Sequence, residues 1–231
     1  MRVSGRRPKP SVPVAPPEPL ADFQPLLGRR HVALGVSGGS DSLALMRLAA
    51  AWAAQHHPAL RLSVLTVDHG LRPDSAAEAQ RVKAWAEAAG LAHHVLNWSG
   101  MPKPSRGIQA KAREARYGLM TAWCRAHDAQ MLLTAHTLDD QAETVLMRLR
   151  RTMSPESLAG VAGLGAWQGL ALCRPLLKAR RAALRDYLSG LGQDWIDDPS
   201  NEDCRFERVR VRRSLAAPGM GGVTAERLAA L

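Results

Sequence analysis

A segment rich in serine and glycine has the composition of a phosphate-binding loop. It reads Ser37-Gly38-Gly39-Ser40-Asp41-Ser42 and lies between a short apolar run and a helical pattern. Glycines let the backbone approach a ligand closely, and the N–H groups at the start of a helix attract phosphate. The three serines add hydroxyl donors. Because Asp41 would repel a bare phosphate, we assign it to a magnesium ion that bridges phosphate oxygens.

Two other interpretations of this loop can be compared with the phosphate site. The segment lacks the lysine and the spacing of a Walker-type phosphate loop, so a kinase-like or GTPase-like site is not indicated. The second interpretation is purely structural. In it, the segment is an ordinary strand-to-helix turn in which a serine or aspartate side chain caps the helix.

A second polar group occurs further along the chain, where an apolar run again meets a helical pattern. His136 precedes the predicted helix, and Asp140 and Glu143 lie three residues apart within it. Residues at this spacing are neighbours on the helix surface, so the three side chains can converge. Acidic residues in a first turn also favour the helix dipole, which would account for the aspartates but not for His136 or Glu143.

Two shorter groups are weaker indicators of a binding site. Asp68-His69-Gly70 follows another apolar run and by itself indicates only a turn. Arg113, Arg116 and Tyr117 lie within about one turn of a predicted helix, so they occupy adjoining faces. Such a cluster could bind a phosphate or a base. The alternative is a solvated basic helix face with Tyr117 in the core.

The elements that must position these groups alternate between short apolar runs and longer helical patterns. The runs are rich in Val or Leu, as strands buried on both faces should be, and cover residues 31–36, 62–67, 93–98 and 130–135. Helices are predicted over residues 42–55, 75–89, 108–127 and 139–150. This alternation predicts an α/β fold with a doubly wound, mainly parallel sheet, whose ligands lie beyond the carboxyl ends of the strands. A glycine-rich loop before residues 170–177, a helix over 179–189 and a small C-terminal helical extension complete the expected fold.

The composition divides the chain into three regions. Residues 1–28 are rich in proline and are predicted to form a mobile, extended arm. Residues 29–215 contain all the polar motifs and are predicted to form the main domain. Residues 216–231 have the pattern of the start of a C-terminal helix or of a linker.

The overall charge and the cysteine content narrow the class of protein. In a chain of 231 residues, 46% hydrophobic content allows one sizeable core, and no apolar run is long enough to cross a membrane. The three cysteines are too far apart for a disulfide framework or a four-cysteine metal site, which favours a reducing, cytoplasmic setting. A net charge of +10 is compatible with a polyanionic partner, and equally with a basic, solvated surface.

The Ser-Gly-Gly-x-Asp-Ser loop resembles the phosphate loop of the ATP pyrophosphatases, which cleave ATP between its α and β phosphates and adenylate a carbonyl-type oxygen. With the later motifs, the chain resembles more narrowly the tRNA(Ile)-lysidine synthetases, over about residues 30–215. These motifs are Val67-Asp68-His69-Gly70-Leu71-Arg72, Ala112-Arg113-x-x-Arg116-Tyr117, His136-x-x-Asp139-Asp140-Gln141-x-Glu143-Thr144, Arg174-Pro175-Leu176-Leu177, Asp198-Pro199-Ser200-Asn201 and Arg208-x-Arg210-x-Arg212.

The resemblance implies an adenine nucleotide alpha hydrolase-like fold and a specific reaction. L-lysine would be attached to C2 of the anticodon wobble cytidine of tRNA(Ile), after ATP has adenylated the cytosine oxygen. Residues 37–42 would hold the phosphates, Asp41 the Mg²⁺ ion, and residues 68–70 would lie near the adenosine. Arg113 and His136 would stabilise the charge that develops during the reaction.

The resemblance also implies contacts to lysine and tRNA. Asp140 and Glu143 would bind the lysine ammonium group or provide a second metal contact. The other candidates for contact with either substrate are arginines, namely Arg116, Arg174, Arg208 and Arg212. Because many relatives carry further C-terminal domains, we expect either that this is a short or truncated form or that tRNA is bound mostly by the basic surface of this domain. A homodimer is compatible with the sequence.

Three other functions remain open at this point. A tRNA thiolase adenylates in the same way but needs paired or catalytic cysteines, and the chain has no C-x-x-C motif. Cys124 and Cys173 lie within predicted core elements. An amide-forming synthetase gains no support from the positive charge. A catalytically silent nucleic-acid-binding module would not need Asp41 or His136.

Overall fold

A computed structural model describes residues 20–68, 70, 75–98, 108–151, 160–197, 205, 207–216 and 224–229. The strands are β1 (His31–Gly35), β2 (Arg61–Asp68), β3 (Ala92–Asn97), β4 (Met131–Leu133), β5 (Leu164–Trp167) and β6 (Leu170–Cys173). The helices are α1 (Ser40–His56), α2 (Ser75–Ala88), α3 (Ile108–Ala126), α4 (Leu138–Arg151), α5 (Arg181–Gly190), α6 (Glu207–Ala216) and α7 (Ala225–Ala229), and a 3₁₀ turn spans Gln24–Leu26. No helix in these described ranges is long and apolar enough to cross a membrane.

The six strands form one sheet in the order β3-β2-β1-β4-β6-β5. All neighbouring pairs are parallel except β5 and β6. The prediction of a doubly wound, mainly parallel α/β sheet is therefore confirmed. The chain reverses its direction of travel through the sheet between β1 and β4, and such a switch point is where this class of fold binds ligands.

Strand β5 was not predicted, because its glycine-rich segment has the composition of a loop. The structure shows that β5 and β6 form a hairpin in which Trp167 pairs with Leu170. The two residues between them, Gln168 and Gly169, have φ angles of +47° and +83°. Two positive φ angles are what a tight two-residue hairpin turn requires.

Successive residues of the strands face opposite sides of the sheet, and each side has its own hydrophobic core. Leu34 and Val64 belong to the larger cluster, which also contains side chains of α1, α2 and α5. Ala33 and Leu65 belong to the second cluster, where Tyr117, Met120 and Cys124 of α3 cover the other face. Helices α1 and α3 therefore reach the carboxyl edge of the sheet from opposite faces.

Residues 20–28 are part of the folded domain, so the prediction of an extended arm as far as residue 28 is wrong for this stretch. Leu20, Phe23 and Leu26 are buried in the larger cluster, and the rings of Phe23 and Trp52 lie 5.7 Å apart. The N–H of Asp22 donates to the carbonyl oxygen of Pro175 at 2.9 Å. Residues 1–19 lie outside the described part of the chain.

Adjacent leucines in this stretch provide a test of that correction. Leu26 is 0% exposed and Leu27 is 54% exposed. We expect Leu26→Ala to lower the free energy of unfolding by about 2–5 kcal/mol, because it leaves a cavity in the core. Leu27→Ala should change the same quantity by less than about 0.5 kcal/mol. Equal urea-unfolding midpoints for the two variants would show that residues 20–28 do not stabilise the domain.

Candidate active site

The loop of residues 37–42 joins β1 to α1 at the switch point of the sheet. Gly39 is the N-cap of α1 and no side chain caps this helix, so the serine or aspartate cap of the purely structural interpretation is not present. The Ser42 hydroxyl donates to the Gly39 carbonyl oxygen at 2.9 Å and accepts from the Ser37 N–H at 3.2 Å. Ser37 and Ser42 therefore shape the loop, and the first N–H groups of α1, which have no intrahelical acceptor, are available to bind an anion.

A segment that follows α5 contacts this loop at Gly38. The N–H of Ile196 donates to the Gly38 carbonyl oxygen at 2.9 Å. Gly38 has a φ of +91°, and a Cβ atom there would lie 2.6 Å from Cδ1 of Ile196. Both the backbone conformation and the space around it therefore require glycine at this position.

Three carboxylates converge on the guanidinium group of Arg181, at the start of α5. The Nε atom of Arg181 lies 2.9 Å from Oδ2 of Asp41, and Nη2 lies 3.2 Å from Oδ1 of Asp140. The remaining nitrogen, Nη1, lies 3.6 Å from Oε1 of Glu143. The loop residue Asp41 and the α4 residues Asp140 and Glu143 thus belong to one site, as the sequence predicted for Asp140 and Glu143.

Two arginines of α6 complete this carboxylate cluster. Glu143 is only 1% exposed, and its two carboxylate oxygens accept from Nε of Arg208 at 2.5 Å and from Nε of Arg212 at 2.8 Å. Nη2 of Arg208 also lies 3.0 Å from Oδ1 of Asp140. The structure therefore brings Arg208 and Arg212 into the site, where they neutralise Glu143 and Asp140. Their direct contact with a substrate stays a prediction.

Burial and ion pairing act in opposite directions on these carboxyl groups. Burial raises the pKa of Asp41 above its ordinary value, although Arg181 opposes this rise. Burial also disfavours the charge on Asp140, but Arg208, Arg181 and the N–H of Thr137 outweigh it and lower the pKa of Asp140. The guanidinium groups are therefore what keeps the cluster ionised.

His136 lies beside Arg113 at the edge of the carboxylate cluster. Its Nε2 atom is 3.4 Å from Nη2 of Arg113, and its Nδ1 atom is 3.0 Å from the Thr134 hydroxyl. Burial, together with the charges of Arg113, Arg174 and Arg208, lowers the pKa of His136 to about 4, and Asp140 opposes this only in part. His136 is therefore neutral near pH 7, so it can act through hydrogen bonds while Arg113 supplies the positive charge.

The remaining predicted residues lie at the same edge of the sheet or outside the described part of the chain. Asp68 ends β2, and its Oδ1 atom accepts from the N–H of Gly70 at 2.8 Å, which closes a tight turn. His69 falls outside the described residues. Arg174 follows β6 and donates from Nη1 to the Ala162 carbonyl oxygen at 2.7 Å. Arg116 is half-buried on α3, one position before Tyr117.

Sequence reasoning missed Arg181, Arg185 and Ile196. Arg181 is separated from Asp41 by 140 positions in the chain. Nε of Arg185 lies 3.4 Å from the Ser40 hydroxyl, so α5 contacts the phosphate loop at a second point. The only local indication was the cluster of arginines at the start of the predicted helix over residues 179–189.

A metal ion at this site would need further ligands in addition to the protein side chains. Within the described ranges, no group of three or more His, Cys, Asp or Glu side chains could hold a metal ion. Asp41 is a single carboxylate beside a phosphate-type loop. This arrangement suits Mg²⁺, which usually keeps several waters and binds one or two carboxylates together with substrate phosphates.

Comparison with known proteins gives consistent matches. The model of the PP-loop domain family matches residues 18–218. A tRNA(Ile)-lysidine synthase of Ruegeria pomeroyi is 45% identical over 200 residues, which cover 87% of this chain and 47% of that protein. The enzyme of the same name in Rhodopseudomonas palustris is 49% identical over 203 residues, which cover 86% of this chain and 58% of that protein. The chain thus spans about half the length of these curated relatives.

A solved structure with the same fold is more distant in sequence. The U34-tRNA thiolase NcsA of Methanococcus maripaludis superposes with a TM-score of 0.72 at 19% identity, over 85% of this chain and 69% of that one. At this identity the likeness concerns the fold alone.

Gly38 provides a test of the loop geometry. We expect Gly38→Ala to lower the free energy of unfolding by about 1–2 kcal/mol through its positive φ, and by roughly 1–3 kcal/mol more through the collision with Ile196. Gly28→Ala is the matched control, because Gly28 has a φ of +76° but no atom within 4 Å of the added Cβ. If the collision is real, adding Ile196→Ala to Gly38→Ala should restore part of the lost stability in urea unfolding.

Arg181 provides a test of the carboxylate cluster. Arg181 is 18% exposed, whereas its neighbour Arg180 is 42% exposed and pairs with Asp139 and Glu226. We expect Arg181→Met to destabilise the domain by about 3–5 kcal/mol, because it leaves buried carboxylates without a cation. Arg180→Met should cost no more than about 1 kcal/mol.

The effect of Arg181→Met should also depend on pH. Loss of Arg181 raises the pKa of Asp41 further and weakens the lowering of the pKa of Asp140. The folded variant then takes up protons more readily than its unfolded chain, so its deficit relative to the unsubstituted protein should narrow as the pH falls from about 8 to about 5. Chemical unfolding without metal at several pH values measures this difference in stability. A difference that grows as the pH falls would contradict the prediction.

Proposed function

The chain belongs to the PP-loop domain family, and from this membership and the geometry of the site we propose that it catalyses lysidine formation. In the proposed reaction, L-lysine is attached to C2 of the anticodon wobble cytidine of tRNA(Ile), at the expense of ATP. The relatives named tRNA(Ile)-lysidine synthase support this substrate assignment. The proposal places the chain in the cytoplasm, with tRNA(Ile) and lysine as its partners.

One observation carries the proposal more than any other. Arg181 joins Asp41, at the phosphate loop, to Asp140 and Glu143, which form an acidic pair on a different helix. A reaction that adenylates one substrate and then adds an amine needs a phosphate site and a cation site side by side. The shared arginine supports this pairing, because it couples the two sites through a single side chain.

The first proposed step takes place at the phosphate end. The cytosine O2 atom attacks the α phosphorus of ATP, a P–O bond forms, and pyrophosphate leaves. The loop of residues 37–42 and the positive end of α1 bind the phosphates. Asp41, with Asp140 beside Arg181, would hold Mg²⁺, which supplies neutralisation of the phosphate charge when bound.

The second proposed step takes place at the acidic end. An amino group of lysine attacks C2, the C–O bond to the adenylyl group breaks, and AMP leaves with the electron pair. Asp140 and Glu143 bind an ammonium group of lysine, in exchange for one of the guanidinium groups that they hold in the structure. His136, which is neutral near pH 7, orients a substrate by hydrogen bonding. The residue that takes the proton from the attacking amine is not assigned.

The thiolase alternative is not favoured by the described cysteines. Cys124 and Cys173 are buried and free of disulfide bonds. Burial raises the pKa of the Cys124 thiol to about 12 and that of Cys173 to about 11. Neither thiol is therefore a reactive thiolate near neutral pH. Cys204 lies outside the described residues.

An assay with a tRNA(Ile) transcript, ATP, Mg²⁺ and labelled lysine tests the proposal. We expect lysine incorporation into tRNA, with one pyrophosphate released per lysine attached. Asp41→Ala should reduce the rate by about 10- to 100-fold, the magnitude typical of groups that support a metal site. Asp186→Ala is the matched control, because Asp186 is an exposed aspartate on α5, and it should retain full activity. Incorporation of lysine by Asp41→Ala at the full rate, or of sulfur instead of lysine, contradicts the proposal.

A further inference from the structure

One arginine near the site differs from all those in the carboxylate cluster. The Nε atom of Arg116 is buried and has no hydrogen-bond partner. Among the described residues, Arg116 forms no ion pair with a carboxylate, whereas Arg181, Arg208 and Arg212 each have at least one. The structure therefore buries part of this cation without neutralising it.

The nearest charge makes this arrangement still less favourable. Burial lowers the pKa of Arg116, and the positive charge of Arg113 lowers it further. Two guanidinium groups one helical turn apart, one of them half-buried, repel each other, and an anion bound between them would offset this repulsion. A bound anion would pair with the positive charges of both arginines, so the two residues are suited to bind an anion.

The position of this pair separates it from the phosphate loop. Arg113 and Arg116 belong to α3, which covers one face of the sheet, whereas residues 37–42 lead into α1 on the opposite face. Nη2 of Arg113 lies 3.4 Å from Nε2 of His136, at the carboxyl edge of the sheet. Arg113 thus reaches this edge from the face of the sheet opposite to the loop, and Arg116 follows it one turn later on the same helix.

Arg113 is also held in a defined orientation. Its guanidinium carbon lies 5.0 Å from the centre of the Tyr117 ring, and its Nη2 atom is 3.5 Å from the Tyr117 hydroxyl. Stacking on an aromatic face leaves the edge of a guanidinium group free to donate, and the planar fork of an arginine matches the oxygens of a phosphate.

We propose that Arg113 and Arg116 form a second phosphate-binding subsite, which holds a backbone phosphodiester of the polynucleotide substrate next to the target base. This inference rests on the proposed function, because it assumes a polynucleotide substrate. ATP is the other available source of phosphate. Its leaving pyrophosphate is bound from the opposite face in the proposed reaction, so the polynucleotide is the source that the geometry favours.

Substitution of Arg116 in the full chain tests the subsite. We expect Arg116→Gln to raise the Kd for a tRNA(Ile) transcript and the KM for tRNA on the order of tenfold, the effect of losing one or two charge-assisted hydrogen bonds. The KM for ATP should change less than about twofold. The slope of log K against log salt concentration should fall by about one, because one phosphate contact is lost.

Two further variants make the result specific. Arg125→Gln removes the same charge from the exposed C-terminal end of α3, and should leave both KM values unchanged. Arg116→Lys keeps the charge without the fork and should restore the salt slope while recovering only part of the affinity. If Arg116→Gln does not fold, as judged by circular dichroism, Arg116→Lys tests the subsite through its weaker tRNA binding at an unchanged KM for ATP.

The outcomes separate the subsite from the proposed function. A higher KM for ATP with unchanged tRNA binding would assign the subsite to ATP and overturn the inference. Unchanged values for both substrates, in a chain that attaches lysine, would overturn the subsite and leave the function intact. If the unsubstituted chain binds tRNA without attaching lysine, the proposed function fails, and the effect of Arg116→Gln on Kd still decides the subsite.

Discussion

A buried carboxylate needs a cation nearby, and in this domain the single guanidinium group of Arg181 forms ion pairs with three carboxylates. The group of ionised side chains includes Asp41 at the start of α1, Asp140 and Glu143 on α4, and the start of α5. Glu143 is 1% exposed, so leaving it unpaired would cost several kcal/mol. The relative positions of α1, α4, α5 and α6 therefore depend on matching charges as well as on apolar packing. The phosphate loop depends on the same contact, because Asp41 belongs to it.

The parallel sheet was predictable because each of its strands and helices is indicated by a local sequence pattern. Apolar runs rich in Val and Leu, each followed by a helical pattern, indicated β1 to β4 and α1 to α4, and the switch point follows from the order of the strands. The polar groups at the strand ends were predictable for the same reason, since the carboxyl ends of parallel strands share one edge. Two local features were misjudged. Residues 20, 23 and 26 are apolar, but the many prolines around them indicated an extended arm. The glycines around β5 indicated a loop, so its hairpin with β6 was not predicted.

The pairing of charges was not predictable, because it is non-local. Arg181 is 140 positions from Asp41 in the chain, and Arg212 is 69 positions from Glu143. No spacing rule for helices or strands reaches across such distances, so the arginines of α5 and α6 resemble any basic helix face in the sequence. The net charge of +10 pointed to a polyanionic partner, but it could not distinguish arginines that neutralise carboxylates from those that do not. Only the folded structure makes that distinction, as for Arg208 and Arg116.

The charge balance also constrains how the proposed amine substrate enters. Three carboxylates face three guanidinium groups in the cluster, so Asp140 and Glu143 already hold cations. A lysine ammonium group added to them would leave an excess positive charge in a buried site, whereas one that replaces a guanidinium group keeps the balance. Exchange is therefore the less costly route, and α6 is the element that can give way, because Arg208 and Arg212 are 39% and 35% exposed while Arg181 is 18% exposed. In the proposed reaction, the binding of lysine and the displacement of one α6 arginine are one event, and Arg181 stays in place beside Asp41.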